Sequence, residues 1–452
     1  MHPDILRLCP MRSDTINALK FTVEAGYHEL ASFEPYTMRY LKLVTERGVE
    51  LSDVSLQTYE NPDVAYVFDS GNEKLNAIAK AAATTFAQNA VDVLTDCPSR
   101  ERAGWLCDSF FSAESERFFT GKNKVEKHFL TTILHHNQEG NLPHGVFPMC
   151  YPADFTNENY IPNWDLWLIL ELERYLARTG DEKLIADFRP AVKNMFDFFA
   201  GYENEDGLLE KLDKWVFVEW SAANGFVQDV NYPTNMLYAA ALAAASRVYG
   251  DASYAAKAEK IKKEVAKQSF NGEFFVDNAV RENGKLVQTS NVTETCQYYA
   301  FYFGVATEKT HPKLYRMMID CFGPQRDKAA VYPEVHPSNA FVGNYLRLEI
   351  LLAAGLYENA LSDCADFFYK MAQRTGTLWE HDNPGASNCH GFASKAAVYL
   401  AQACFGYLGE EKGVPCFSPQ YLTQNGKLQI KLAGEKTLTV SVENGVRSYK
   451  VD

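Results

Sequence analysis

The sequence predicts a mainly α protein: an (α/α)6 toroid of six helical hairpins, flanked by small β modules at both ends. Three observations point there. Helical periodicity runs almost unbroken from about residue 72 to 408, with room for about eleven or twelve helices. Short glycine-marked connections alternate with long polar ones, as a ring of hairpins with tight turns at one end and long loops at the other requires. At both ends of the chain the period falls to two. The expected segments are 1–70, an incomplete β-sandwich-like piece; 71–408, the helical barrel; and 409–452, a C-terminal β domain.

Taken in order, Tyr36 to Val44 is β-rich, Arg47-Gly48 supplies a turn, and Val54-Ser55-Leu56 alternates. Asn72 is a candidate N-cap, with Leu75, Ile78, Ala82 and Phe86 falling on one helical stripe behind it. Trp164 to Arg178 reads as helix, with Gly180 closing it and Asp181 opening the next; Asn235 to Tyr249, Gly250 and Asp251 repeat the device. Gly355 separates the stripe Phe341, Tyr345, Leu348, Leu352 from the stripe Leu361, Cys364, Phe368, Met371. Long connections run at 140–163, 202–233, 271–292 and 322–337, the third holding a β-hairpin that turns at Asn283-Gly284. Alternation returns at Leu428, Ile430 and Leu432, at Thr437 to Val442 and at Val446 to Val451, with turns at Asn425-Gly426 and Asn444-Gly445.

Composition narrows the function. With 44 Lys plus Arg against 58 Asp plus Glu, the net charge of −14 disfavours nucleic acid, whose phosphates the field would repel. A chain 46% hydrophobic and 23% charged, carrying 29 Phe, 25 Tyr and 6 Trp, has ample means to build a core. No apolar run approaches the roughly 18 residues of a membrane-spanning helix, so no membrane partner is expected. Met1-His2-Pro3-Asp4 lacks a basic region followed by an apolar one, so no secretory signal is visible and a cytoplasmic location is expected. The ten cysteines are scattered without a CxxC pair, and there is no HExxH, so reduced thiols, no metal and no cofactor are expected.

Two clusters carry chemistry. Asp96-Cys-Pro-Ser-Arg100-Glu101-Arg102-Ala-Gly-Trp105-Leu-Cys-Asp108 packs three carboxylates, two arginines and a tryptophan around Pro98 and Gly104. Glu101 beside an apolar Trp105 wall, with Asp96 and Asp108 nearby, could have its pKa raised toward that of a general acid; Arg100 and Arg102 would oppose the shift. Taken alone, the stretch also reads as a structural salt-bridge loop. The second cluster is Thr377-Leu-Trp379-Glu380-His381-Asp382 with Ser387-Asn-Cys-His390-Gly391, where Glu380 is a second candidate carboxylate and His390 a partner for a polar neutral ligand. In a closed ring the first and last hairpins are neighbours, so these loops should meet at one end. Two carboxylates across a Trp-lined cavity suit glycosidic hydrolysis, one protonating the leaving oxygen and the other activating water or attacking. Trp164 and Trp220, on or beside long loops, could stack on a sugar or simply pack between helices. Glu219, Asp213 and Glu294 are spare carboxylates that read as solvated or structural.

The run from Asp96 to Trp105 with Asp108 strongly resembles the catalytic motif of the family 78 glycoside hydrolases, the bacterial α-L-rhamnosidases. Thr377 to Glu380 with Ser387 to Ser394 is similar to that family's second site segment, and Ile161-Pro162-Asn163-Trp164 to a further sugar-contacting one. The resemblance covers roughly residues 35 to 450 in the family's order of domains. It implies inverting hydrolysis that removes terminal α-L-rhamnose, with Glu101 as general acid and Glu380 as general base. Asp96, Trp105, Asp108, Trp164 and His390 match positions that hold the sugar; Arg100 and Trp220 match less closely. An inverting pair leaves room for a water, at a separation of roughly 6.5–9.5 Å. Cys107 stands where the family usually has glycine, and the stretch from Glu380 to His390 is short. The alternatives are another six-hairpin glycosidase, or a truncated, non-catalytic protein that binds rhamnosides.

Overall fold

A computed structural model describes residues 11–12, 15–16, 18–38, 40–136, 142–153, 158–326, 331–339, 341–411 and 413–452. Short strands β1 (Met11–Arg12) and β2 (Thr15–Ile16) precede β3 (Tyr66–Asp69). The helices are α1 (Glu73–Asn89), α2 (Leu106–Thr120), α3 (Lys124–Leu134), α4 (Pro162–Thr179), α5 (Glu182–Ala200), α6 (Tyr232–Tyr249), α7 (Ala252–Ser269), α8 (Glu294–Tyr302), α9 (Pro312–Cys321), α10 (Gly343–Ala353), α11 (Tyr357–Thr375) and α12 (Ala396–Phe405). Between them lie β4 (Val230–Asn231), β5 (Asn278–Glu282), β6 (Lys285–Gln288), β7 (Val292–Thr293) and β8 (Val335–His336). The chain ends in β9 (Tyr407–Glu411), β10 (Val414–Phe417), β11 (Gly426–Lys431), β12 (Thr437–Glu443) and β13 (Val446–Val451).

Local chemistry sets the helix ends. Asn72 accepts from the amides of Lys74 and Leu75, Asp181 from Leu184 and Asp251 from Ser253, so each satisfies donors the helix itself cannot. Gly180 and Gly250 close α4 and α6 in the left-handed region, at φ 67° and 72°, and the next helix starts within two residues.

Burial divides the helices. α2, α4, α6, α8, α10 and α12 bury most of their side chains, whereas α5, α7, α9 and α11 bury a single stripe and turn the rest to solvent. The buried set packs in a cycle: α2 on α4, α4 on α6, α6 on α8, α8 on α10, α10 on α12 and α12 back on α2. α1 lies against α11 and α12, so the first and last helices meet. No helix among the described residues is long and apolar enough to cross a membrane.

The expected hairpin at Asn283-Gly284 is present, with Glu282 paired to Lys285. So are the three C-terminal strands, in a sheet of order β13-β12-β11-β3. Leu428, Ile430, Leu438, Val440 and Val442 form its buried face.

The N-terminal reading needs correction. Within residues 18–65 the described residues hold no strand, although Tyr36 to Val44 and Val54 to Leu56 read as β. Leu41, Leu43, Val44, Val54 and Leu56 are exposed. β propensity makes a strand only where another strand supplies hydrogen bonds and a second layer covers one face; among the described residues this segment has neither. The strand that does form, β3, joins the C-terminal sheet instead, with Phe68 paired to Leu428. The first turn expected from Phe341 is also absent, α10 beginning at Gly343.

Candidate active site

The segment after α1 is closed on itself by Asp96. Its amide donates to the Ala103 carbonyl at 3.0 Å and its Oδ1 accepts from the Ala103 amide at 3.0 Å, which pinches residues 97–102 into a loop. Gly104 has to be glycine, since a Cβ there would sit 2.4 Å from the Tyr151 carbonyl oxygen. Trp105 then runs extended into the first turn of α2, which carries Asp108. Arg102 adopts φ 52°, and its guanidinium leaves the loop to bind Glu34 and the Pro35 carbonyl. Of the two arginines, Arg100 is the one that stays with Glu101.

The second segment is a narrow loop between α11 and α12. The Glu380 amide donates to the Ser387 carbonyl and the His390 amide to the Leu378 carbonyl, both at 2.9 Å. The Gly391 amide donates to the Asp96 carbonyl at 2.6 Å, clasping the two segments together. A Cβ on Gly391 would lie 2.5 Å from the Thr95 carbonyl oxygen, so the clasp also needs glycine.

At the junction, one nitrogen of the Arg100 guanidinium lies 2.7 Å from Glu101 Oε1 and 3.8 Å from Glu380 Oε2. Those two oxygens are therefore no further apart than the two lengths end to end, at or below the short edge of the inverting range. Trp105 Nε1 donates to Glu101 Oε2 at 3.0 Å. His390 Nε2 is 2.9 Å from Asp108 Oδ1, and its Nδ1 is 3.7 Å from Glu380 Oε2; His381 Nε2 is 3.6 Å from Glu380 Oε1.

The electrostatics separate the carboxyls. Burial alone would raise the Glu380 pKa, but His390, His381, the Ser387 amide and Arg100 outweigh it and hold this carboxyl below its ordinary range. Asp108 and Asp96 go the other way: burial dominates both and pushes them up, against the pull of His390. For His390, burial is overcome by Glu380, Asp108 and Asp96, which push the imidazole up to about 9 and keep it charged at neutral pH.

A chain of aromatic rings lies beside these groups. Trp105 meets Trp215 edge-on, Trp215 tilts against Trp220 at 5.8 Å, and Trp220 reaches His381 at 5.9 Å. Trp220 is 38% exposed, at the rim. Trp164 is buried one layer away, against Phe217 and Phe341, and Phe341 stacks on Phe392 beside His390. Asp96 Oδ2, Trp164 Nε1 and His390 Nδ1 are buried without a hydrogen-bond partner.

Asp96, Arg100, Glu101, Trp105, Asp108, Glu380 and His390 are thus brought together, with Trp220 at the rim and Trp164 behind these rings. The spare carboxylates have other partners. Glu219 accepts from Thr295, Ser338 and the Gly343 amide, Glu294 pairs with Arg326, and Asp213 accepts from Tyr202. Sequence reasoning missed Trp215, His381 and Asn339. Trp215 shares the long loop of Trp220 and could have been found there; nothing in the sequence marks Asn339. Among the described residues no three His, Cys, Asp or Glu side chains converge as a metal ion would require.

The bacterial α-L-rhamnosidase six-hairpin glycosidase domain matches residues 63–402. An α-L-rhamnosidase of Alteromonas sp. (strain LOR) is 22% identical over 382 residues, 82% of this chain and 38% of that protein. One of Formosa agariphila is 22% identical over 266 residues, 54% of this chain and 26% of that protein. This chain therefore spans well under half the length of either curated relative. Among solved structures, a rhamnosidase of Bacillus sp. GL1 superposes with a TM-score of 0.73 at 20% identity, covering 86% of this chain and 42% of that one. A Klebsiella oxytoca rhamnosidase with rhamnose bound gives 0.60 at 16% identity, covering 76% and 66%. The match to the domain over three quarters of the chain places it plainly: the protein belongs to the bacterial α-L-rhamnosidase six-hairpin glycosidase family.

Proposed function

We propose that this protein removes terminal α-L-rhamnose from rhamnosides by inverting hydrolysis, with Glu101 as general acid and Glu380 as general base. The observation that carries the reading is the pair of glutamates sharing Arg100, one braced by the Trp105 indole and the other kept ionised between two histidines. A base must be deprotonated before the reaction, and Glu380 meets that requirement at neutral pH. Sugar entering the gap displaces the Arg100 guanidinium from between the carboxyls. That release opens the spacing a water needs beside Glu380 and frees Glu101 for the glycosidic oxygen.

The cyclic packing of the buried helices supports the six-hairpin toroid as the scaffold, with both glutamate segments at one end of the ring. Asp96 Oδ2, buried without a hydrogen-bond partner, suits a hydroxyl group of a neutral sugar, and the Trp105, Trp215 and Trp220 rings suit its apolar methyl face. The net charge of −14 does not repel such a ligand.

The test is turnover of an aryl α-L-rhamnoside by wild type, Glu101→Gln and Glu380→Gln, with the product anomer followed by NMR. Loss of turnover in both variants and an initial β-anomer are expected. Undiminished turnover in either variant removes that residue from the mechanism, and an initial α-anomer rules out inversion. Rhamnose raising the thermal midpoint of a wild type that turns over nothing in a panel of glycosides would instead support a binding protein.

A further inference from the structure

We propose that Asn339 is a positioning residue that fixes the tautomer of His381 and, through it, the charge state of Glu380. The proposal rests on the reading of Glu380 as general base and adds the residue that sets it.

Two backbone contacts orient the Asn339 amide. Its Oδ1 faces the Asp382 amide at 3.4 Å, and an amide N–H can only donate. Its Nδ2 lies 3.0 Å from the Trp220 carbonyl oxygen, which can only accept. The second Nδ2 hydrogen is left for His381 Nδ1, 3.2 Å away, so that ring nitrogen must accept. In a neutral imidazole the proton then resides on Nε2, the nitrogen that faces Glu380 Oε1 at 3.6 Å. Burial lowers the His381 pKa, against the pull of Glu380, so the neutral ring is the relevant form.

The base thus has a charged histidine on one oxygen and a neutral N–H on the other. Arg100 and the Ser387 amide approach Oε2 as well; Glu101, Asp108, Asp96 and Asp382 complete the ionisable surroundings. If His381 were free to carry its proton on Nδ1, the Nε2 lone pair would face Glu380 Oε1 and favour the protonated carboxyl. Asn339 also joins two loops, since it holds the backbone of Trp220 and the segment that carries the base.

The experiment uses the whole protein with 15N-labelled histidine, His381 being assigned by the signal lost in His381→Leu. Wild type is expected to show His381 protonated at Nε2, and Asn339→Leu to show a mixture or the Nδ1–H form. A wild-type His381 carrying its proton on Nδ1 overturns the proposal whether or not the protein cleaves rhamnosides. On an aryl α-L-rhamnoside, Asn339→Leu is expected to move the acid limb of the kcat/KM profile to higher pH, each unit of movement costing about tenfold on that limb. Because Asn339→Leu also loses a backbone contact, the double variant with His381→Leu serves as the control. If Asn339 acts through His381, Asn339→Leu adds no further shift in the His381→Leu background; an equal shift in both backgrounds overturns the proposal. A fall in rate with an unmoved limb and an unchanged tautomer overturns it too.

Discussion

Trp105 gives the site both a polar contact and an apolar surface. Its Nε1 holds Glu101 Oε2 at 3.0 Å while the ring meets Trp215, so the two contributions can be separated by keeping the ring character and removing the donor. Trp105→Phe should lower kcat/KM on an aryl α-L-rhamnoside by roughly threefold to tenfold, as expected for losing one hydrogen bond to the acid. A rate within twofold of wild type would show that the indole N–H does not place the acid. Apart from Trp164 and Trp220, the residues of this constellation that were legible in the sequence lie in two compact runs, 96–108 and 377–391, where type and spacing speak together. His381 and Asn339 were not legible as partners because their contact spans 42 residues and depends on how two loops come to rest.

At the scale of elements, the site is two loops clasped through Gly391. The Cβ of an alanine there would meet the Thr95 carbonyl oxygen at 2.5 Å, and backbone on both sides leaves neither group free to yield cheaply. Gly391→Ala should therefore separate the segments, lowering the thermal midpoint and cutting kcat further than KM changes; wild-type kinetics in this variant would show that the clasp does not set the geometry. His390, the neighbour of that glycine, makes the clasp pH-dependent. Its folded pKa of about 9 lies above the roughly 6.5 of an unfolded histidine, so its stabilising charge is fully present below about pH 6.5 and is lost as the pH rises through 9. Calorimetry should find a midpoint falling between pH 6.5 and 9 in wild type and a flatter trend in His390→Gln; equal slopes would deny His390 that role. Elements with local causes were legible: the caps at Asn72, Asp181 and Asp251, the closing glycines and the Asn283-Gly284 turn are decided within a few residues. The stretch from Tyr36 to Val44 misled because its propensity is local and a strand's existence is not, while β3 found its partner in β11, more than 350 residues along the chain.

For the molecule as a whole, the cycle of buried helices is tied across its middle by charge. Lys395, in the turn before α12, is 1% exposed and pairs with Glu114 of α2 at 3.0 Å and Glu349 of α10 at 2.5 Å. Arg174 of α4 binds the same Glu114 and the hydroxyl of Tyr302 on α8, with its guanidinium over the ring of Phe110. Burial would raise the Glu114 pKa, but Arg174, Lys395 and Arg178 together hold it well below the carboxylate range, so Glu114 is ionised at neutral pH. Without Lys395, Glu114 keeps Arg174 and Arg178 and Glu349 keeps Arg174 at 4.0 Å, so the loss should be about 1–3 kcal/mol, below that of a fully uncompensated buried charge. Lys395→Met keeps the volume of the stem and removes the charge; it should lower the urea midpoint by that amount of stability with an unchanged slope. Lys193→Met, which breaks the exposed pair with Asp197 on α5, should stay within about 0.5 kcal/mol of wild type. Because the Lys395 network joins α2, α4, α8, α10 and the approach to α12, its loss should weaken the helical region as one unit, and the transition should remain single. Equal, small effects of the two lysine variants would mean that water reaches these charges and that the cycle is held by apolar packing alone.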